Sequence, residues 1–510
     1  MNALVLLSVI MGYFGLLLGI AFYTSRKSDN QSFFNGNKSS KWWVVAFGMV
    51  GTSLSGITFI SVPGTVAKSG FEYFQVVLGY IIGYFAVSFI LLPLYYRLNL
   101  TSIYTYLKGR FGTIPYKTGA LLFIVSRTLG ATLRLYVVIK VLQLFILQPL
   151  HIPFEVTTIL ILLLILLYTY RGGVKTIVWT DTLQTTFMLL ALIVCIVYVM
   201  QTMHLSAGEV RQAFSVHHFD HLFVTDFMSP AFCIKQILGG AFITITMTGL
   251  DQEMMQKNIS VRKLADSQKN MLTMSFLQAF VVFVFLSLGG LLYLFAISKG
   301  GQFAQIIKDG KPVMQFLLDG KAIPGDNIFP IVVFGYLPPV IGLVFVIGLI
   351  SALFPSADGA LTALTSSFCI DVLGIFENKK RYNSEIAIRR TRLTVHYCFA
   401  ALFLVCVFVF RQVDNGSIIQ LLLDVAGYTY GPLLALFAFG IFTKRKLVAW
   451  AVPIICIAGP VLSYLIRQND AVLLHGYRIG LELLVLNGLI TFLLLYLFSK
   501  TGKKILSHPD

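Results

Sequence analysis

Several ionisable side chains stand inside long apolar stretches of this sequence, and their chemistry suits the binding of ions and small charged solutes. They are Arg127, Arg134, Lys140, Asp181, Asp251, Asp358 and Asp424. A charged group is costly in an apolar environment, so each of them is a functional hypothesis by default. Carboxylates are hard oxygen ligands that hard cations prefer, whereas a guanidinium offers a fork of donors that suits a carboxylate.

Two of the apolar stretches are interrupted by small, hydroxyl and helix-weakening residues. The first runs from Gly48 to Gly64 and the second from Gly239 to Gln252. We expect both helices to be broken, because unwound backbone inside a protein frees carbonyl oxygens that can bind a cation. The alternative is a face of small residues that packs against a neighbouring helix.

A third apolar stretch combines a proline with hydroxyl groups and a carboxylate. On a helix, Ala352, Pro355 and Ser356 share one face, and Asp358 lies further round. Pro355 removes a backbone donor and so frees a carbonyl one turn earlier. The carbonyl, a hydroxyl and the carboxylate are ligands that suit a hard cation. The alternative is a proline kink with its hydroxyls bonded back to the helix.

The elements that carry these residues are membrane spans. Of the 510 residues, 57% are hydrophobic and only 12% are charged, whereas about a quarter of an ordinary soluble chain is charged. An all-α integral membrane protein accounts for this composition, since each span needs about 20 apolar residues. Thirteen spans are predicted, at approximately 3–24, 43–66, 73–96, 118–147, 154–170, 176–201, 230–256, 268–297, 338–372, 393–411, 418–442, 447–466 and 480–499. The first lacks a small-residue cleavage site, and we expect it to be retained.

The formal net charge of +17 follows from the predicted topology. Lys and Arg collect in alternate loops, and the rich side holds Arg26, Lys27, Lys38, Lys41, Arg97, Lys108, Arg110, Lys117, Lys379, Lys380, Arg381, Arg389, Arg390, Arg392, Lys500, Lys503 and Lys504. The positive-inside rule then predicts an N-terminus outside and a C-terminus in the cytoplasm. This distribution explains the charge without a nucleic acid partner.

The sequence gives no support for enzyme chemistry. It contains no GxxxxGK[ST] loop, no HExxH and no GxSxG elbow. Its six cysteines form no close pair with metal or redox spacing. One loop holds His217, His218 and His221, which could bind a metal, and the alternative is an ordinary polar loop.

The two interrupted stretches are five spans apart, which indicates an internal repeat. Broken helices in corresponding places are the best sequence signal of an inverted-repeat transporter with its site between the halves. The repeats would cover 42–201 and 230–442, with an extra helix in 1–30 and C-terminal helices in 446–510, all within one transmembrane domain, 1–510. Because each repeat has an odd number of spans, the second would run through the membrane in the opposite direction.

Several motifs resemble the sodium:solute symporter family, which includes sodium/glucose, sodium/proline and sodium/sialic acid symporters. The most specific is Gly172-Gly173-Val-Lys175-Thr-Ile-Val-Trp179-Thr180-Asp181-Thr-Leu-Gln184. Others are Leu54-Ser55-Gly56-Ile57-Thr58-Phe59, Thr101-Ser102-Ile103-Tyr104-Thr105-Tyr106-Leu107, Asp251-Gln252 and Leu337-Pro338-Pro339. The resemblance implies a LeuT-like 5+5 inverted repeat, with broken helices in spans two and seven, driven by inward sodium flow.

The resemblance also implies a sodium site between spans two and nine. The family's common site takes backbone carbonyls at Gly51 and Leu54, together with Ala352, Pro355 and Ser356. The family usually has two adjacent hydroxyl residues where this chain has Pro355 and Ser356. One side-chain ligand is therefore lost.

A second sodium site, which some members have, is altered in this chain. Such members use an aspartate at the position of Asp181 with serines that match Asp358 and Gly359. The chain keeps Asp181, has a carboxylate in place of one serine and has no side chain in place of the other. Asp358 either replaces a neutral ligand in a rebuilt sodium site or carries a proton.

The sialic-acid branch is the most similar in span two, and it implies a carboxylated solute. In that branch an arginine matching Arg134 binds the carboxylate, with hydroxyls matching Ser55 and Thr58. Arg127 is a rival for the role of Arg134. The alternatives for Arg134 are a pair with Asp358 or another carboxylate, or a side chain that reaches the membrane interface.

We expect a sodium-coupled secondary active symporter that imports a small, carboxylated, sialic-acid-like solute by alternating access. Its partners would be the solute, co-transported sodium ions and the lipid bilayer, and it would act as a monomer in the plasma membrane. Two alternatives keep the fold: a proton-coupled symporter with Asp358 as the carrier, and a symporter for neutral sugars or amino acids. A transporter-like receptor is more remote, because such proteins often carry a soluble signalling domain and few residues follow position 499.

Overall fold

Helices make up most of the chain. The structure, a computed structural model, describes residues 3–25, 33–34, 38–308, 311–378, 382, 384–413 and 418–501. Its helices are α1 (Ala3–Ser25), α2 (Trp42–Ser53), α3 (Gly56–Ser69), α4 (Tyr73–Arg97), α5 (Thr105–Phe111), α6 (Thr113–Leu147), α7 (Phe154–Thr202), α8 (Ala207–Val216), α9 (Cys233–Gly249), α10 (Gln252–Ile259), α11 (Leu264–Ser298), α12 (Gly325–Tyr336), α13 (Pro339–Val372), α14 (Glu385–Val413), α15 (Ile418–Thr429), α16 (Gly431–Phe442), α17 (Ala451–Gln468), α18 (Asp470–Leu473) and α19 (Leu483–Leu497). π-helical turns occur at Val87–Leu91, Gln143–Leu147, Ile245–Gly249 and Phe368–Val372.

Most predicted spans coincide with an apolar helix or with a bent pair of helices, whereas spans five and six lie in one helix. Among the described residues, seven single helices are long and apolar enough to cross a membrane, or ten elements if each bent pair is one span. Three shorter apolar helices are Ser8–Thr24, Phe154–Thr169 and Leu483–Leu497. Some basic loop residues named above, among them Arg26, Lys379 and Lys503, lie outside the described residues.

Spans five and six differ from the prediction, because they form one helical element, α7, of 49 residues. We expected a loop near 171–175, where the sequence has two glycines. The helical backbone continues through them, since a glycine costs a helix only about 1 kcal/mol relative to alanine. At 1.5 Å per residue α7 is far longer than a bilayer's hydrocarbon core of about 30 Å. It is therefore long enough to contain two apolar crossings, Phe154–Thr169 and Thr176–Thr202.

Helix α2 meets α3 at an angle of 58°, and α9 meets α10 at 64°. At the first bend Leu54 and Ser55 have extended backbone. At the second bend Asp251 caps α10, since its Oδ1 accepts hydrogen bonds from the N–H groups of Glu253 at 2.9 Å and Met254 at 3.2 Å. A third pair, α15 and α16, bends by 43°.

Helices from the two halves of the chain pack against each other around these bends. Helix α11 contacts both α2 and α3, and α9 contacts α4. Helix α13 packs against α7 and α6 and also touches α2 and α3. The bends therefore lie inside the protein, where unpaired backbone groups are tolerated.

Two small sheets depart from the all-α prediction. Strands β1 (Gln302–Lys308), β2 (Lys311–Leu318) and β3 (Lys321–Ala322) form an antiparallel sheet in the long loop before α12. Phe303 and Phe316 pair across this sheet, and both rings contact Tyr293 of α11. Strand β4 (Lys446–Leu447) pairs with β5 (Ser499–Lys500). The two rings of the first sheet thus pack it against α11.

Candidate ion and solute site

A polar cavity lies beside the bend between α2 and α3. Ser55 and Thr58 line it from the bend, and Arg127 and Arg134 line it from α6. Aromatic and further polar walls come from Tyr73, Tyr80, Tyr84, Thr248 and Gln278. The three residues that we expected to bind solute, Ser55, Thr58 and Arg134, therefore face the same space.

The two arginines of this cavity differ in their partners. Arg127 pairs with Glu253, and its Nη1 lies 3.6 Å from Oδ2 of Asp251. Arg134 is 9% exposed, and its guanidinium has no ion pair or hydrogen bond within the described part of the chain. The pair with Asp358 that we considered for Arg134 is not formed. Because a buried charge without a partner is expensive, Arg134 is the better of the two arginines for an anionic ligand.

Gly51 lies near the end of α2, where this helix is in close contact with Thr185 of α7. The N–H of Leu54 donates to the carbonyl of Val50 at 2.8 Å, and helical geometry stops there. The carbonyls after Val50 therefore have no donor from a following helical turn. A Cβ on Gly51 would stand 2.0 Å from Oγ1 of Thr185, so a side chain at this position would disturb the contact between α2 and α7.

The expected ligands on α13 are all enclosed by protein. Ala352, Pro355 and Ser356 are buried, and the hydroxyl of Ser356 donates to the carbonyl of Leu353 at 2.9 Å. Since α13 contacts both halves of the broken pair, these residues lie on elements that touch those of Gly51 and Leu54. The groups that these five residues can offer are backbone carbonyls and the hydroxyl of Ser356, and such oxygen ligands fit a hard monovalent cation.

Asp181 binds the side-chain ammonium of a lysine. Its Oδ2 accepts a hydrogen bond from Nζ of Lys257 at 2.7 Å and another from Oγ1 of Thr52 at 3.1 Å. Nζ of Lys257 also donates to Oγ1 of Thr52 at 2.7 Å and to Oε1 of Glu253 at 3.1 Å. All four side chains are buried. The three N–H donors of the ammonium thus meet three oxygens.

Glu253 links the ammonium of Lys257 to the guanidinium of Arg127. One of its carboxylate oxygens bonds to Lys257 and the other to Arg127. Arg127 in turn faces Asp251. The result is a buried series of alternating charges, Asp251, Arg127, Glu253, Lys257 and Asp181, that crosses α10, α6 and α7.

Asp358 lies next to this series of charges, but its carboxylate accepts hydrogen bonds from neutral groups. Its Oδ2 accepts from the hydroxyl of Tyr168 at 2.8 Å, and its Oδ1 accepts from the N–H of Gly359 at 2.5 Å. No ion pair is formed by Asp358 within the described residues. A Cβ on Gly359 would stand 2.1 Å from Oε1 of Glu253 and 3.2 Å from Nζ of Lys257. The Glu253–Lys257 pair therefore fills the space that a side chain at 359 would need.

Two other groups noted in the sequence lie away from this site. Asp424 pairs with Arg467 at 2.9 Å, and both are partly exposed. In the histidine loop, Nε2 of His221 lies 3.9 Å from Oε1 of Glu72. The described residues contain no group of three or more side chains placed to hold a metal ion.

Sequence reasoning missed Glu253, Lys257 and Tyr168 as site residues. Glu253 and Lys257 both lie in the helix that Asp251 caps. They are four residues apart, which places them on one face of that helix. We ended span seven at residue 256, which left Lys257 in a loop. Tyr168 carried no signal, because an aromatic residue in an apolar span is usually a packing residue.

Comparisons with known proteins find a matching family and similar relatives. A model of the sodium:solute symporter family matches residues 33–451. The sodium/sialic acid symporter NanT of Aliivibrio fischeri is 23% identical over 450 residues, which cover 86% of this chain and 82% of the relative. The sodium/sialic acid symporter SiaT of Proteus mirabilis is 21% identical, with 86% and 84% covered.

A solved structure shares the fold. It is a Na⁺-coupled sialic acid symporter in a substrate-bound, outward-open state, with a TM-score of 0.79 and 19% identity. The match covers 96% of this chain and 97% of that chain. The fold of this protein is therefore that of a known membrane transporter.

Proposed function

The chain belongs to the sodium:solute symporter family, and we propose that it imports a small carboxylated solute of the sialic-acid type with sodium by alternating access. The observation that carries the solute class is Arg134, a buried guanidinium without a counter-charge among the described residues, in a cavity shared with Ser55 and Thr58. An anionic ligand would supply the missing charge, and the guanidinium fork fits a carboxylate in two parallel hydrogen bonds. The hydroxyls of Ser55 and Thr58 offer further hydrogen bonds to a polyol or an amide. Two relatives and a protein of the same fold carry sialic acid in their names, which supports the same class of solute.

We propose that the transported sodium ion binds at the junction of the α2–α3 bend with α13. Its ligands would be the carbonyls of Gly51 and Leu54 with Ala352, Pro355 and Ser356. An ion there would hold the bend in the shape that lines the solute cavity. Solute and sodium would then favour the same conformation, which couples their binding without direct contact.

The proposal also includes the arrangement in the membrane. We propose thirteen crossings, with two inverted repeats of five spans at 42–201 and 230–442. The basic loops would place the N-terminus outside and the C-terminus in the cytoplasm of the plasma membrane. The protein would act as a monomer in the lipid bilayer.

Proton coupling is a second candidate, because Asp358 is buried without a cationic partner among the described residues and contacts the hydroxyl of Tyr168. Such a transporter would take up its solute in sodium-free medium, and an uncoupler would abolish that uptake. A neutral sugar as solute would leave Arg134 without a counter-charge, whereas an amino acid would bring a carboxylate of its own.

The function can be tested on purified protein by thermal stabilisation. Sodium is compared with potassium and choline, each with and without sialic acids, neutral sugars and small amino acids. Sodium should stabilise the protein, and a sialic acid should add to that effect only when sodium is present. Stabilisation by a neutral sugar instead would contradict the solute class. A solute effect that follows pH and ignores sodium would support coupling to protons through Asp358.

A further inference from the structure

The ammonium of Lys257 is surrounded by three buried oxygens. It is 2.7 Å from Oδ2 of Asp181, 2.7 Å from Oγ1 of Thr52 and 3.1 Å from Oε1 of Glu253. These oxygens are the ligand type that a sodium ion prefers. A monovalent cation is therefore already present there, bound covalently to the chain.

The charges around Lys257 support the same conclusion. Removal of this ammonium would leave Asp181 without a cation, since Glu253 keeps Arg127. An uncompensated buried carboxylate is strongly unfavourable. The site therefore requires one positive charge, and Lys257 supplies it in every conformation that keeps this contact.

Residue 359 fits the same arrangement. A side chain there would displace the carboxylate of Glu253 from Lys257, because a Cβ would stand 2.1 Å from Oε1 of Glu253 and 3.2 Å from Nζ of Lys257. Members of the family with a second sodium site resemble this chain at Asp181 but have a hydroxyl residue at the position of Gly359. This chain has the carboxylate of Asp181 and no side chain at 359, and Nζ of Lys257 lies beside both positions.

We propose, on the basis of the sodium-coupled function proposed above, that Lys257 is a resident cation that replaces a second sodium ion. Only one sodium ion, at the junction of the α2–α3 bend with α13, then binds and moves with each solute molecule. With a solute of charge −1 this stoichiometry moves no net charge. Uptake of such a solute is therefore insensitive to the membrane potential.

The number of bound sodium ions can be counted on the full-length protein in detergent, without any solute. Equilibrium binding of radioactive sodium gives the count, and the slope of thermal stabilisation against the logarithm of sodium concentration gives it independently. The wild type should bind one ion. Lys257→Met should bind two, with a doubled slope, because sodium then neutralises Asp181. Lys269→Met, which removes an exposed lysine of α11, should still bind one.

Each result decides the matter. Two ions in the wild type, or one ion in a folded Lys257→Met protein, would overturn the role of Lys257. If Lys257→Met does not fold, Asp181→Asn takes its place and should still bind one ion, whereas loss of that ion would overturn the proposal. No sodium binding in the wild type would instead contradict the sodium-coupled function itself.

Membrane potential provides a second measurement in proteoliposomes. A potassium diffusion potential should leave the uptake of a monoanionic solute by the wild type unchanged and should accelerate uptake by Lys257→Met. Acceleration in the wild type would show that more than one positive charge moves with the solute and would overturn the single-ion stoichiometry.

Discussion

Arg127 and Arg134 lie two helical turns apart on one face of α6 and line the same cavity, yet among the described residues only Arg127 is paired with carboxylates. Arg127 belongs to the charge series with Glu253, whereas Arg134 offers its guanidinium to the cavity. Arg127 therefore connects the buried carboxylates, whereas Arg134 has a guanidinium that a ligand can neutralise. This difference leads to separate predictions for the two groups.

Replacement of Arg134 by glutamine should remove most of the affinity for a carboxylated solute. Loss of one partner from a buried, hydrogen-bonded charge pair costs about 2–5 kcal/mol, which corresponds to a rise in solute Kd of roughly 30-fold to several thousand-fold. Sodium binding should persist, because Arg134 is not among the proposed sodium ligands. Isothermal titration with solute at saturating sodium measures the change. The exposed Arg262→Gln is the control, and an unaltered Kd in Arg134→Gln would exclude the carboxylate contact.

The hydroxyls of Ser55 and Thr58 should contribute smaller amounts. A single neutral hydrogen bond contributes about 1 kcal/mol, so Ser55→Ala and Thr58→Val should each raise solute Kd by about 5-fold. Thr65→Val is the control, because Thr65 lies further along α3 and its hydroxyl donates to the carbonyl of Val62. Equal effects of Thr58→Val and Thr65→Val would argue against a solute contact at Thr58.

Neutralisation of Glu253 should destabilise the protein, because Glu253 bridges two buried cations. Removing one member of a buried ion pair costs about 3 kcal/mol or more, so Glu253→Gln should lower the unfolding temperature in detergent by several degrees. Glu155→Gln removes a carboxylate from the exposed pair with Arg411, and its unfolding temperature should stay near that of the wild type. A normal unfolding temperature in Glu253→Gln would mean that the bridge is not formed.

A methyl group on Gly51 should weaken sodium binding by displacing the end of α2. In Gly51→Ala the new Cβ would stand 2.0 Å from Oγ1 of Thr185, so this hydroxyl must rotate away or α2 and its carbonyls must shift away from α7. The double variant Gly51→Ala/Thr185→Ala removes that hydroxyl and should recover part of the sodium affinity. Gly109→Ala, whose Cβ would meet no atom within 4 Å, should be neutral. The sodium dependence of thermal stabilisation distinguishes these variants.

The resemblance to the family predicted a solute site at Arg134, Ser55 and Thr58, and in the structure these three residues line one cavity. It did not indicate which arginine was paired. That depends on Glu253 and Asp251, which reach Arg127 from another helix only after the fold is formed. Periodicity in one segment contains no information on contacts between segments.

Lys257 and α7 show two further limits of sequence reasoning. Hydropathy ended span seven before Lys257, although the capped helix α10 continues to Ile259 and carries the lysine to Asp181. In α7 the glycines near 172 suggested a loop, yet the helical backbone runs through them. In both cases the local sequence preference for a loop was weak, and contacts with other helices outweighed it.

The short distance between residue 359 and Glu253 also restricts how this chain can change over generations. A serine at 359 would push Oε1 of Glu253 away from Lys257, so it costs least after residue 253 or 257 has changed. Glycine at 359 and the Glu253–Lys257 pair should therefore be inherited together among descendants of this protein. We therefore expect a lineage that acquires a serine at 359 to change residue 253 or 257 first.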